Sequence, residues 1–379
     1  MARKLTRLIF VLCVLPLLPG VARAQQDAEE KQPSDSSAAR PGNTLVPLPV
    51  VFYQPETKLG FGGLVSYYFQ IGDGPSEPGA PYQPSNLSLV GIYTTRKQIV
   101  ISLGGELFLS GGRNRVAGDM GYIKFPTKYW GIGNETPDSN EEDYTPESVG
   151  GLGEVLHQVA RGWFVGAGLQ AGYRAITQID SGGAFETGVV PGSDDGWAIG
   201  PGVLLTRDTR NNTVFPTRGG YHQFRAFLFD GIFGSDFDWG SFTLDMRGYI
   251  PVFRSQVIAL RALGVATTGV PPFDFMPQLG GEQLLRGYFQ GRYRDRQLLA
   301  FQGEFRTPVW WRFGAAGFVG VGQVGDAFGD FSGGGFHVSA GGGLRFEIAR
   351  EEGLNLRADY GWGFDVGTGG FYLSIGETF

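Results

Sequence analysis

The sequence predicts an all-β protein, a transmembrane antiparallel β-barrel of about 16 strands with a long inserted loop between two of them. Three observations carry that prediction. From Thr44 onward the chain breaks into segments of about 10 residues that alternate apolar and polar side chains, the period of a strand with two unlike faces. Glycine supplies 63 of 379 residues, far above the usual ~7%, and aromatic residues reach 14%. An export leader opens the chain, yet no later apolar run approaches the roughly 18 residues of a spanning helix.

The leader is expected over residues 1–24. Arg3, Lys4 and Arg7 precede the apolar run Leu8 to Leu18, and Ala22-Arg23-Ala24 supplies a small-x-small cleavage site. Cys13 lies inside that run, so the mature chain is expected to carry no thiol and no disulfide. Removal of the leader leaves 27 basic against 37 acidic residues, a balance of −10 that does not suggest a nucleic-acid partner. Residues 25–43, QQDAEEKQPSDSSAARPGN, are polar and without period, and read as a short disordered periplasmic linker. The barrel is expected over residues 44–379.

Strands are expected at 46–53, 58–69, 85–95, 97–109, 114–125, 144–158, 161–175, 197–208, 219–229, 238–250, 256–268, 296–309, 313–324, 336–348, 354–363 and 370–379. In the run Phe336 to Ile348, Val338, Leu344 and Phe346 share one face, while His337, Ser339, Arg345 and Glu347 share the other. Leu356, Tyr360 and Trp362 likewise oppose Asn355, Arg357 and Asp359; Leu244 and Met246 oppose Asp245 and Arg247; Phe301 and Phe305 oppose Gln302, Glu304 and Arg306. The apolar faces meet lipid and the polar faces a lumen, where Asp245, Arg247, Glu304, Arg306, Arg345, Glu347, Arg357 and Asp359 are expected to satisfy one another. An open edge is not tolerated in a bilayer, so the strands must close. An even count puts both ends on the periplasmic side. Short turns at Val159–Gly162, Pro251–Gln256 and Ala349–Gly353 agree with this, whereas Ile71–Pro84 and Asp208–Gly219 are long for that side. Pro47 and Pro49 remove ladder donors from the first strand, which predicts a short, weakly bonded seam where it meets the last.

In the longest hydrophilic break stands Gly280 to Tyr288, GGEQLLRGY. It resembles the signature of the sixth extracellular loop in the BamA/TamA family of outer-membrane proteins, the bacterial surface antigen barrels, and the resemblance extends over residues 44–379. It implies that the loop Pro271 to Arg296 folds back into the lumen, anchored by Arg286, Gly287 and Tyr288, with Glu304 as the wall carboxylate that pairs Arg286. The family's second wall acid would fall at Gly320, and Asp326 just beyond is the expected substitute. Asp208, Arg210, Pro216 and Gly219 are similar to a family turn, and their residue types suit turn chemistry. The alternating end Phe371 to Phe379 resembles the signal read by the barrel assembly machinery, with Phe379 as its terminal aromatic and Glu377 interrupting the outward series. The run Lys128-Tyr-Trp-Gly-Ile-Gly-Asn134 looks similar in other barrels of this group, and its residues suggest no role.

Chemistry is poorly represented. His157, His222 and His337 fall in three different strands without metal-ligand spacing, and no G-x-S-x-G elbow occurs. Gly320 to Gly325 fits G-x-G-x-x-G but lacks the helix a dinucleotide site needs. No cofactor, metal or enzymatic activity is expected. The resemblance implies a barrel without POTRA domains in the outer membrane of a Gram-negative bacterium, assisting insertion or translocation of protein or lipid. Its partners would be outer-membrane lipid, the assembly machinery, unfolded outer-membrane proteins or a periplasmic protein. A passive diffusion channel is the alternative, since barrels of this size can leave an aqueous pore; a lipase or protease, or a purely structural or adhesive barrel, stands behind it.

Overall fold

Extended chain sends successive side chains to opposite faces, so each alternating segment acquires an apolar and a polar side as soon as it pairs. A computed structural model of the chain describes residues 43–71, 84–212, 215–253, 255–349 and 354–379. The expected leader, and the expected linker up to residue 42, lie outside the described residues. Sixteen long strands form the wall: β1 (Thr44–Gln54), β2 (Lys58–Phe69), β3 (Ser85–Thr94), β4 (Ile99–Leu109), β5 (Asn114–Lys124), β6 (Glu142–Ala160), β7 (Trp163–Ile179), β8 (Gly196–Asp208), β9 (Gly219–Phe229), β10 (Trp239–Pro251), β11 (Val257–Gly269), β12 (Gln297–Trp310), β13 (Phe313–Gly325), β14 (His337–Ala349), β15 (Leu354–Gly363) and β16 (Thr368–Ile375). Each pairs antiparallel with the next, and β16 returns to β1. The ends agree with the sequence expectation to within four residues.

The wall is apolar outside; inside it carries buried charges on β12 to β15 and a buried apolar cluster of Val50, Phe52, Leu64, Ile92 and Val100 on β1 to β4. Leu103, Val203 and Leu344 are 45–63% exposed on the outer face, whereas Glu304, Arg345 and Asp359 are at most 3% exposed within. Bilayer hydrocarbon is the medium that makes this arrangement stable, because it covers the outer face while the closed ladder satisfies the backbone. β6 and β7 are the longest strands and rise past their neighbours; a three-residue strand, Thr127–Tyr129, continues the pairing beyond Pro126. Exposed Trp310 and Trp311 at the β12–β13 turn and exposed Phe253 at the β10–β11 turn furnish aromatic groups at the rim where the strands begin and end.

The last strand corrects one expectation. It stops at Ile375, and Gly376 takes a left-handed φ of 81°. Glu377, Thr378 and Phe379 therefore leave the wall and turn inward, so neither Glu377 nor Phe379 lies on the lipid face. The side chain of Glu377 is 1% exposed beside Arg345 and Arg306, and Phe379 is buried against Tyr249, Val257 and Ala259.

This inward turn thins the closure. β1 pairs with β2 through an unbroken register from Thr44↔Tyr68 to Gln54↔Lys58. Its register with β16 is the single pair Tyr53↔Leu373. The prolines explain the asymmetry. The carbonyl of Leu59 accepts from the Thr95 amide on the β3 side, so the pair Tyr53↔Leu59 is not hydrogen-bonded and Tyr53 directs its backbone groups toward the seam. By the two-residue period, Pro47 and Pro49 face the seam too, and the donors they lack are seam donors. Amide exchange measured residue by residue should therefore alternate along β1. Val51, aimed at the seam, should exchange about 100-fold or more faster than Val50 and Phe52, which are bonded to β2; equal protection of all three would contradict this account.

Candidate functional site

Residues 270–296 connect β11 to β12 and fold back inside the wall. Gln278–Leu279 pairs with Tyr293–Arg294, which makes a small hairpin whose tip carries Gly280 to Tyr288. The tip is held by apolar contact first. Leu279, Leu284, Leu285, Tyr288 and Tyr293 are buried together with Leu298 and Ala300 of β12 and Val324 of β13. Gly287 has a φ of 115°, and a Cβ there would lie 2.6 Å from the Gly363 nitrogen, so both conformation and clearance require glycine.

Arg286 is 1% exposed. Its Nη2 stands 2.5 Å from Glu304 Oε2, its Nη1 bonds Asp359, and its guanidinium lies 3.4 Å from the Phe318 ring centre. Glu304 also takes Arg306 Nε at 2.8 Å and Arg345 Nη2 at 3.3 Å, while Asp359 takes Arg345 Nη1 at 2.5 Å. Glu377 joins from the inward-turned end, 3.1 Å from Arg345 Nε, and Glu282 of the loop bonds Arg357. Arg286, Arg306, Arg345 and Arg357 thus meet Glu282, Glu304, Asp359 and Glu377, four charges of each sign. Desolvation makes each charge costly alone; mutual pairing makes the set tolerable.

One sequence expectation needs correction here. The second acid facing Arg286 is Asp359 of β15, and Asp326 instead pairs Arg296 at an exposed position 3.0 Å away. The small inward face at Gly320 and Gly322 makes room for the loop. A Cβ at Gly320 would lie 3.5 Å from Leu285 Cδ1, and one at Gly322 only 2.6 Å from Leu279 Cδ1, so β13 yields its inward space to the loop. The run Gly320 to Gly325 is plain strand.

The segment Lys128 to Asn134 acquires a place in the structure. Gly133 N donates to Arg294 O at 2.8 Å; Asn134 Oδ1 accepts from Val324 N at 3.0 Å and its Nδ2 donates to Gly335 O at 2.8 Å. Trp130 packs edge-on to Phe289, and Arg292 reaches Thr136 and Asp138. The segment is a strap across the hairpin, tied at its far side to the β13–β14 region. His337 closes the strap: Nε2 is 2.9 Å from Asn134 O, Nδ1 is 2.5 Å from Asp365 Oδ2, and the ring stacks on Tyr293 at 3.8 Å. Tyr288 donates to Val338 O at 2.9 Å in the same neighbourhood. His157 meets Asn114 on the outside and His222 is half-buried in β9, so the three histidines stay apart.

The Asp208 to Gly219 segment is a self-bonded turn. Asp208 accepts from Arg210 through backbone and guanidinium, Asn211 Oδ1 accepts from the amides of Thr217 and Arg218, which follow Pro216, and Gly219 has a φ of 91°.

Glu56, in the β1–β2 turn, receives the Gln290 amide of the loop at 2.8 Å and is 2% exposed. Burial pushes its carboxyl up to about 7, against the backbone hydrogen bonds and the cations Lys58 and Arg96 that pull it down. Among the described residues no group of histidine and carboxylate side chains forms a metal site. The loop-anchoring residues that sequence reasoning did not single out are Glu282, Asn134, Glu56 and Tyr372, whose hydroxyl accepts from Gly287 N at 3.0 Å. Glu282 sits inside the GGEQLLRGY signature, and its acidity was the available signal.

The Omp85 superfamily domain matches residues 86–379. In structure the chain is similar to BamA from Haemophilus ducreyi lacking POTRA domains 1-3, with 16% identity and a TM-score of 0.62 over 88% of this chain and 70% of that one. It is also similar to CdiB from Acinetobacter baumannii, at 12% identity and a TM-score of 0.57 over 88% of this chain and 59% of that one. CdiB from Escherichia coli gives 11% and 0.58, over 89% and 64%. The chain therefore spans less than two thirds of either CdiB chain. No curated relative matches it in sequence. At these identities the likeness is one of fold.

The Glu56 carboxyl titrates from 4.5 toward about 7 on folding. The folded state thus holds a proton that the unfolded chain releases first, and stability falls as pH rises between those values. Relative to Glu56→Gln, the wild type should lose about 3 kcal/mol between pH 4.5 and pH 7, read as a falling difference in melting midpoint; parallel profiles would refute the assignment.

Proposed function

The chain belongs to the Omp85 superfamily of outer-membrane β-barrels, and on that footing we propose that it assists the insertion or translocation of protein or lipid at the outer membrane. The observation that carries the reading is the seam, where β16 turns inward after Ile375 and leaves one register pair, Tyr53↔Leu373, between first and last strands. A barrel wall with one weak join has a place where a substrate can enter laterally; the other strand pairs are bonded over most of their length. The buried loop across the lumen speaks against a passive diffusion channel. The work is non-enzymatic, a matter of lowering the cost of placing polar backbone in hydrocarbon.

In this reading residues 1–24 are a cleaved leader in a Gram-negative bacterium and residues 25–43 a periplasmic linker. The assembly machinery reads the end at Phe379 during biogenesis, and a separate periplasmic partner delivers substrate.

The reading is tested by tethering the seam. Antiparallel register partners lie about 5.5 Å apart at Cα, within disulfide reach. Tyr53→Cys with Leu373→Cys, oxidised, should lower insertion of a client barrel into vesicles about tenfold or more, and reductant should restore it; undiminished insertion by the oxidised protein would overturn the proposal.

A further inference from the structure

The seam has little backbone bonding, yet its two flanks are joined from within by one side chain. Glu282 of the inserted loop is 5% exposed. One oxygen, Oε2, accepts from Gln54 Nε2 at the end of β1. The other, Oε1, accepts from Ser374 Oγ of β16 at 2.5 Å and from Arg357 of β15. Gln54, Ser374 and Arg357 are all buried. We propose that Glu282 is a positioning residue that latches the seam, so that withdrawal of the inserted loop and opening of the wall are a single event.

The geometry sets Glu282 apart from the other ties of the loop. Arg286 reaches Glu304 on β12 and Asp359 on β15, both on the β16 flank. Gly287 N reaches Tyr372, again on that flank, and Gln290 N reaches Glu56 on the β1 flank. Each of these holds the loop to one side. Glu282 alone among them spans both, because a carboxylate offers two acceptor oxygens that can face opposite donors. A carboxylate also bonds more strongly than a neutral acceptor, which suits a join with one backbone pair. The arrangement makes the loop a control on the seam as well as an occupant of the lumen.

Removal of the carboxylate does not strand its charged partner. Arg357 keeps Asp359 at 3.4 Å and the hydroxyl of Thr378, so its charge still has a carboxylate partner in Glu282→Ala, and Glu282→Gln also keeps the space filled. The latch deepens the proposed function and its use rests on that reading, but its test does not. Amide exchange of the full chain is compared in wild type, Glu282→Ala and Glu282→Gln, each first shown to keep the heat-resistant compact form of a closed barrel. In Glu282→Ala, Tyr53 and Leu373 should exchange about tenfold faster, while Phe242 and Ala266 of the β10–β11 ladder stay as they are. Glu282→Gln keeps one acceptor oxygen and should show a smaller rise. Unchanged seam exchange, or an equal rise at the β10–β11 ladder, overturns the latch. Loosened seam exchange together with undiminished insertion by the tethered barrel would keep the latch and remove the functional reading; the reverse pair of results would do the opposite.

Discussion

A buried guanidinium must find carboxylates, and the placement of Arg286 between Glu304 and Asp359 is the constraint on which the interior of this barrel depends. Removing one partner of such a buried pair costs roughly 3–5 kcal/mol, which is comparable with the whole stability of many domains. The wall and its inward-turned end bring Arg306, Arg345 and Arg357 against Glu304, Asp359 and Glu377; the loop adds Arg286 and Glu282, one charge of each sign. Loop and wall are thus each balanced, and they interleave without leaving a net charge in a confined space.

Other features follow from making room for that contact. Gly287 brings the hairpin backbone against β15, and Gly320 and Gly322 clear β13 for Leu285 and Leu279. The strap through Trp130 and Asn134 spans the hairpin from the other side, and the inward turn at Gly376 delivers Glu377 to the same cluster. That turn has a second effect. It ends β16 early, and with Pro47 and Pro49 facing the same edge it reduces the closure of the wall to one pair. The interaction that fills the lumen and the weakness of the seam therefore share a structural origin in the last residues of the chain.

The wall was legible in the sequence because period-two alternation is a local property, and it placed the ends of the sixteen strands within four residues. The loop was legible as a break in that period. The partners of Arg286 were less so. Glu304 could be placed inward by alternation, whereas Asp359 lies 73 residues from Arg286, and only the closed register brings β15 beneath the hairpin. Glu377 was misplaced for a related reason: alternation assumes an extended chain, and the left-handed φ of Gly376 ends that assumption one residue earlier. The strap at Asn134 was visible only as a resemblance without a role, since its bonds reach Val324, Gly335 and His337, about 190 to 203 residues away.

The central claim is that the Arg286 cluster holds the loop across the lumen, and planar-bilayer conductance of the refolded barrel tests it most directly. Wild type should pass small, flickering currents, and Arg286→Ala should pass large and steady ones as the loop leaves its seat. Equal, steady currents from both proteins would mean that the lumen is open whether or not the cluster is intact, and the account would fail.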